Sequence, residues 1–190
     1  MNTPAHIIVN LLLLGKQDAP RDHIAITTGA VLPDIPIIVM YAVEKLIRHT
    51  PETVIWTERY HQPGWQNFID TFNSLPFLTV GFLFAWWAKL RAAMLLFGSM
   101  ILHVFEDLPL HHDDAHRHVF PLSDWRFRSP VSYWDPSHYG NFVSQLEIII
   151  AVVGITILLR RYRSWMSRTL VGSIGLIYAL YFVYVLIMWM

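Results

Sequence analysis

Long apolar segments separated by short polar turns make up most of the chain. Five of them are long enough to cross the roughly 30 Å hydrocarbon layer of a bilayer, which takes about 20 helical residues. They lie near residues 23–45, 66–88, 92–110, 141–160 and 169–189. The shorter apolar stretch from Ala5 to Leu14 ends at Gly15 and cannot span a bilayer. The pattern predicts an all-α, polytopic helical membrane bundle with about five transmembrane helices plus a short N-terminal half-helix.

The first predicted span is interrupted by the segment Leu32-Pro33-Asp34-Ile35-Pro36. Two prolines this close together remove backbone donors, so they must break or kink the helix. Inside a bilayer the freed backbone groups need partners from the protein or from water. We therefore expect an irregular point near Asp34 within this span.

Composition agrees with a membrane protein. Of the 190 residues, 54% are hydrophobic and 15% are charged, against roughly 25% charged in an average soluble domain. Fourteen Lys and Arg residues balance 14 Asp and Glu residues, so bulk charge predicts no nucleic-acid partner. The absence of Cys excludes disulfides, thiolate metal sites and Cys nucleophiles.

Basic residues in the short turns predict the orientation in the membrane, because such turns are retained in the cytoplasm. Three turns carry them: Lys16 with Arg21, Lys89 with Arg91, and Arg160, Arg161, Arg163 and Arg168 together. Residues 46–65 and 111–140 are then expected outside the cytoplasm. Three arginines, Arg117, Arg126 and Arg128, run against this rule because they lie in a predicted outer segment.

The outer segment 111–140 is too rich in aromatic residues for a disordered linker, so we expect an ordered extracytoplasmic loop. With the spans, it forms a single integral membrane domain, residues 1–190, in a plasma or thylakoid membrane. The sequence leaves the oligomeric state open.

Candidate chemistry is concentrated at the end of the third predicted span. Five of the ten His lie between His103 and His118. His103 and Asp107 are four residues apart and therefore share one helical face. Imidazole and carboxylate are common ligands of zinc, manganese and iron, and charged groups inside a span usually have a functional partner. The spacing favours a divalent metal site, although the His111–His118 stretch could also be a solvated polar loop.

Other polar residues within the spans leave two interpretations open. Asp34 either binds a metal ion or caps the helix that resumes at Ile35. Glu147 either takes part in proton transfer, as Glu106 could, or forms a hydrogen bond to a neighbouring helix. Under the predicted orientation these residues, with Asp70, converge on a cavity that opens outward.

Four motifs occur in an order that resembles a known family. They are His6 in the half-helix, Gly-Ala-Val-Leu-Pro-Asp at 29–34, Asn-Ser-Leu-Pro at 73–76, and Leu-His-Val-Phe-Glu-Asp at 102–107. Over about residues 1–123 this resembles the bacterial membrane-bound metal-dependent hydrolases of the LexA-regulated type. The resemblance implies a divalent metal held by His6, Asp34, His103 and Asp107.

The sequence departs from that family at Phe68 and Asn73, where the family usually has His. A substitute would come from His61 or the His111–His116 group, most simply from His111 or His112. A continuous helix would place His111 roughly 12 Å beyond His103, too far for one ion. We therefore predict a break at Leu108 to Leu110 that returns His111 or His112 toward Asp34.

The segment from His111 to Asp135 is also similar to a group of uncharacterised cyanobacterial multi-span membrane proteins. Three functions remain open. The first is a membrane-embedded metal-dependent hydrolase acting on an ester or phosphoester of a membrane lipid or lipid-like substrate. The second is a non-catalytic metal- or tetrapyrrole-binding protein for transport, storage or complex assembly. The third is a structural subunit whose His-rich loop caps the bundle by hydrogen bonds.

Overall fold

The computed structural model describes residues 1–17 and 19–189, with the side chains of residues 182 and 184–189 left out. Every regular element among these residues is helical. The nine α-helices are α1 (Thr3–Leu14), α2 (Pro20–Val31), α3 (Ile35–Ala42), α4 (Glu52–Val54), α5 (Pro63–Phe72), α6 (Leu75–Trp87), α7 (Arg91–Asp107), α8 (Gly140–Arg161) and α9 (Trp165–Trp189). Turns of 3₁₀-helix occur at Leu32–Asp34, Leu108–Leu110 and Pro136–His138, and turns of π-helix at Val43–Ile47 and Ile55–Arg59.

Among the described residues, four helical segments are long and apolar enough to cross a membrane, which confirms the predicted all-α membrane bundle. They are Pro20–Ile47, Pro63–Trp87, Arg91–Leu110 and Gly140–Arg161. The predicted fifth span, 169–189, falls in α9 and runs into residues whose side chains lie outside the described part of the chain. Many large apolar side chains of the spans face outward, such as Val152 and Val153 of α8. An exposed apolar surface of this kind fits a lipid environment.

The short helix α1 lies inside the bundle and contacts α2, α7, α8 and α9. It begins at Thr3, two residues before the predicted Ala5, and ends at Leu14 before Gly15, as predicted. Ala5, Ile8 and Leu11 of α1 are fully or almost fully buried in the main apolar core. This position carries His6, on the second turn of α1, into the interior of the protein.

Helices α2 and α7 pack very closely, and Gly29 makes this possible. A Cβ atom at Gly29 would collide with the backbone carbonyl of Leu96 on α7. The adjacent carbonyl of Ala30 consequently reaches the ring of His103, with a distance of 2.8 Å between the Ala30 oxygen and Nδ1. A glycine in α2 thus helps to set the orientation of a histidine in α7.

Two predicted spans are interrupted, and the interruptions lie next to each other. The first span changes to a 3₁₀ turn at Leu32–Asp34, as its two prolines predict. The second span is divided into α5 and α6 around Asn73, where Ser74 caps α6 through the backbone N–H of Phe77. The Asn73 side chain donates to the Pro33 carbonyl at 3.2 Å, so one break supplies the partner that the other needs.

The three basic turns lie at the same end of the bundle. His23 of α2 contacts the Lys16 carbonyl, and Arg161 of α8 donates to the Leu12 carbonyl at the end of α1. Arg91, at the start of α7, pairs with Asp22 of α2. Their clustering at one end is what the predicted orientation requires. The N-terminus of α1 and the C-terminus of α7 lie at the opposite end.

Candidate metal centre

Three buried side chains from two helices converge at the end away from the basic turns. His6 of α1, with His103 and Asp107 of α7, can each offer a ligand atom, and these atoms lie within 4.8 Å of one another. His6 Nε2 is 2.9 Å from Asp107 Oδ1, and His103 Nε2 is 3.0 Å from Asp107 Oδ2. The four-residue spacing of His103 and Asp107 places both on one face of α7, directed at the buried α1.

The two imidazole rings are held through their other nitrogen. His6 Nδ1 lies 2.6 Å from Glu106 Oε2, and His103 Nδ1 lies 2.8 Å from the Ala30 carbonyl. Both contacts use acceptor oxygens, so each Nδ1 carries a proton and Nε2 is the nitrogen of each ring that faces Asp107. Histidines that bind metals are usually oriented in this way.

These Nε2 atoms are suited to bind a metal ion. Both are buried and have no hydrogen-bond partner among the described residues. A lone pair facing a carboxylate oxygen at about 3 Å is unfavourable unless a proton or a cation lies between them. The rings of His6 and His103 also stack at 3.7 Å, which places their free nitrogens side by side. The donor set of imidazole and carboxylate suits a divalent cation such as zinc, manganese or iron.

Asp34 and His111 border the same cluster. Asp34 Oδ1 is 3.6 Å from His103 Nε2, and its other oxygen accepts a hydrogen bond from Thr3. His111 Nε2 is 3.3 Å from Asp107 Oδ1, and its Nδ1 is 2.9 Å from Asp114. The Asp34 side chain accepts no capping hydrogen bond from the backbone of the helix that follows it. Its position therefore favours the cluster over the capping interpretation.

His111 reaches the cluster because the chain turns at the end of α7. The helix ends at Asp107 and a 3₁₀ turn at Leu108–Leu110 follows, which is the break predicted from Pro109. Burial by itself would lower the pKa of His111, but the carboxylates of Asp107 and Asp114 outweigh it and raise the pKa to about 9. Like His6, His111 has one ring nitrogen toward a supporting carboxylate and the other toward Asp107.

His112, predicted as an alternative ligand to His111, is directed elsewhere. Its Nδ1 contacts the Ser129 carbonyl at 2.5 Å, and its ring stacks on that of His138 at 3.7 Å. The backbone at His111 is extended, so consecutive side chains point in opposite directions. This geometry brings His111 to the cluster and directs His112 into the loop.

The two glutamates predicted for proton transfer have distinct surroundings. Glu106 supports His6, as described above, and is mostly buried. Glu147 of α8 accepts hydrogen bonds from the Asn2 side chain at 2.7 Å and from the Tyr178 hydroxyl at 3.0 Å. Its described contacts fix the segment before α1, where the Met1 amine lies 2.6 Å from Asp107. Glu147 thus forms the interhelical hydrogen bond that was one of its two predicted roles.

A cleft of about 530 Å³ leads from the loop side to the cluster. Asp34 and His111 line the cleft and also border the cluster. Trp56, Tyr60, Tyr133 and Trp134 give it aromatic walls, and the ionisable side chains of His61, Asp113, Asp114 and His116 line it as well. A cleft that combines aromatic walls with converging polar groups is typical of small-molecule sites.

The loop that closes this region is fastened by Asp70, whose role the sequence did not reveal. Asp70 is fully buried and lies 2.5 Å from Arg117 Nε and 3.6 Å from an Arg126 nitrogen. Its other oxygen accepts from the backbone N–H of Arg117. Arg117 and Arg126 are two of the arginines that run against the orientation rule, and their pairing with a buried carboxylate accounts for them. The presence of these arginines in a predicted outer segment was the sequence signal that could have pointed to a buried acidic partner.

The same loop contains a histidine unsuited to a charged role. Burial and the neighbouring His116 lower the pKa of His118 to about 4, so its ring is neutral near pH 7. The His118 carbonyl accepts from the Leu75 backbone at the start of α6. His118 therefore joins the loop to the bundle.

No protein-family model matches the chain, and comparison with curated proteins and with solved structures gives no match. Function must therefore be inferred from the residues of this chain.

Proposed function

We propose that this protein is a membrane-embedded hydrolase that uses a divalent metal ion held by His6, His103 and Asp107. The observation that carries the proposal is the pair of buried Nε2 atoms facing Asp107, each without a hydrogen-bond partner in the described structure. In each ring the other nitrogen is already engaged. Asp34 and His111 are close enough to complete the coordination or to act beside it.

When bound at this position, a divalent ion supplies Lewis acidity and activates water toward an ester or phosphoester bond. The residues of the chain supply the remaining functions. Glu106 Oε2 holds the proton of His6 Nδ1, and the Ala30 carbonyl holds that of His103. Asp34 Oδ1 faces both the cluster and the cleft, so we assign it to accept a proton from the attacking water. Glu106 then positions the His6 ring, and Glu147 positions Asn2 before α1.

The cleft favours a lipid-like substrate. It lies beside segments apolar enough to cross a membrane, and its aromatic walls suit an apolar chain. Asp34 and His111, the lining residues beside the metal cluster, would face the ester or phosphoester group. A substrate of this class could enter from the membrane with its polar head at the outer end of the spans.

One feature favours the second candidate, a non-catalytic metal-binding protein. Counting His6, His103, Asp107, Asp34 and His111, five side chains border the cluster. Four protein ligands saturate a structural zinc site, whereas a catalytic site keeps one position open. If Asp34 and His111 both coordinate the ion, storage or transport is favoured over hydrolysis.

The experiment that separates the two candidates combines hydrolysis with metal content. The protein, loaded with zinc, manganese or iron, is given lipid esters and phosphoesters in mixed micelles, beside Asp34→Asn and His103→Ala variants. Hydrolysis predicts metal-dependent turnover that Asp34→Asn lowers by about 100-fold while its metal content is retained. Glu58→Gln, an exposed change, is the matched control. A fully loaded protein that cleaves none of these substrates contradicts the hydrolase and leaves the binding candidate.

A further inference from the structure

A second groove, of about 770 Å³, lies at the basic end of the bundle. It is formed by the end of α1, by α6 and by the first turns of α7. Leu14, Phe82, Met94 and Leu95 give it apolar walls, and Lys16, Lys89 and Arg91 also line it. Arg91, at its basic end, is roughly 24 Å along α7 from Asp107, and none of the residues that line the groove belongs to the metal centre, so nothing argued for it depends on the hydrolase proposal.

The basic residues of this groove carry an excess of positive charge. Arg91 is neutralised by Asp22, which it contacts through two nitrogens at 2.5 and 3.1 Å. Lys16 and Lys89 are exposed, and neither forms an ion pair with a described side chain. The groove therefore combines apolar walls with two cationic groups that an anion could reach.

Gly98 contributes to the groove in a way that helix packing does not require. A Cβ atom at Gly81 would collide with Phe97, so close packing accounts for that glycine. At Gly98 the nearest atom to a Cβ would be Phe82 Cε2 at 3.6 Å, an ordinary contact distance. Glycine within a helix costs roughly 0.5–1 kcal/mol relative to alanine. Because Gly98 has no side chain, the space beside it remains part of the groove.

We infer that this groove is a binding site for one anionic phospholipid, with an acyl chain against Gly98 and the phosphate beside Lys16 and Lys89. Basic pockets between transmembrane helices at the cytoplasmic side bind anionic head groups. Trp86 and Trp87 line the same groove and are exposed, as expected of indole rings at a membrane interface. The predicted orientation places this end at the cytoplasmic leaflet, where anionic lipids are enriched.

The test measures lipid retention by the full chain. Protein in detergent is equilibrated with equal amounts of phosphatidylglycerol and phosphatidylcholine, and native mass spectrometry gives the lipid bound per chain. We expect one phosphatidylglycerol, retained in preference to phosphatidylcholine. The double variant Lys16→Gln/Lys89→Gln should lower that preference by roughly tenfold or more. Gly98→Leu, which fills the groove and keeps its charges, should lower retention of both lipids.

The matched control is Arg163→Gln/Arg168→Gln, which removes two exposed charges at the same end of the bundle but outside the groove. It should keep the preference of the unmodified chain. Equal retention of the two lipids by the unmodified chain would overturn the site. So would an equal loss in the control, because attraction to the basic end as a whole would then explain binding. Circular dichroism establishes that each variant is folded.

Discussion

At the residue scale, the candidate metal centre depends on how each imidazole ring is held. Glu106 accepts from His6 at 2.6 Å and so directs the second ring nitrogen toward Asp107. We expect Glu106→Gln to lower metal affinity by about 10- to 100-fold, because groups that orient a ligand commonly have effects of that size. Competition with a chelating dye measures the affinity. An unchanged affinity in a folded Glu106→Gln protein would contradict the support assigned to Glu106.

Local backbone geometry decided which residues of the site could be predicted from the sequence. His103 and Asp107 could be paired because a four-residue spacing shares a helical face wherever the helix lies. The choice between His111 and His112 could not be made, since it depends on the backbone direction after a 3₁₀ turn. The partner of Asp70 was equally out of reach, because Arg117 is 47 residues away along the chain.

At the scale of elements, the loop after α7 is secured to α5 by a buried charge. Asp70→Asn leaves Arg126 without its carboxylate partner and Arg117 with only the exposed Asp124, so we expect a loss of about 3 kcal/mol in stability. Cleavage between Val119 and Ser137 by a protease should then become faster. Asp124→Asn is the matched control, because Asp124 also pairs with Arg117 but is 89% exposed. Its effect should stay below about 1 kcal/mol.

Thermal unfolding in detergent and limited proteolysis measure both variants. Equal effects of Asp70→Asn and Asp124→Asn would show that the buried pair does not secure the loop.

The helices themselves were largely predictable, because their apolar length marks the spans. The division of the second span at Asn73 was not, since apolar length alone does not mark the point at which Ser74 caps α6.

At the scale of the whole molecule, the bundle has a basic end and an end that holds the metal centre. The chain has no Cys, so single cysteines report sidedness without a background. We expect Ser164→Cys, in the α8–α9 turn, to react with a membrane-impermeant maleimide only from the cytoplasmic side. Asp124→Cys, in the loop, should react from the other side. The reverse pattern would place the cleft toward the cytoplasm.

The central claim is that His6, His103 and Asp107 hold a divalent metal ion. Elemental analysis of the protein purified in detergent, after incubation with zinc, manganese or iron and removal of the excess, tests it most directly. We predict a stoichiometric ion in the unmodified chain and in His112→Ala, whose ring points away from the cluster. His103→Ala should lose the ion while remaining helical by circular dichroism. A folded His103→Ala protein with full metal content would contradict the claim.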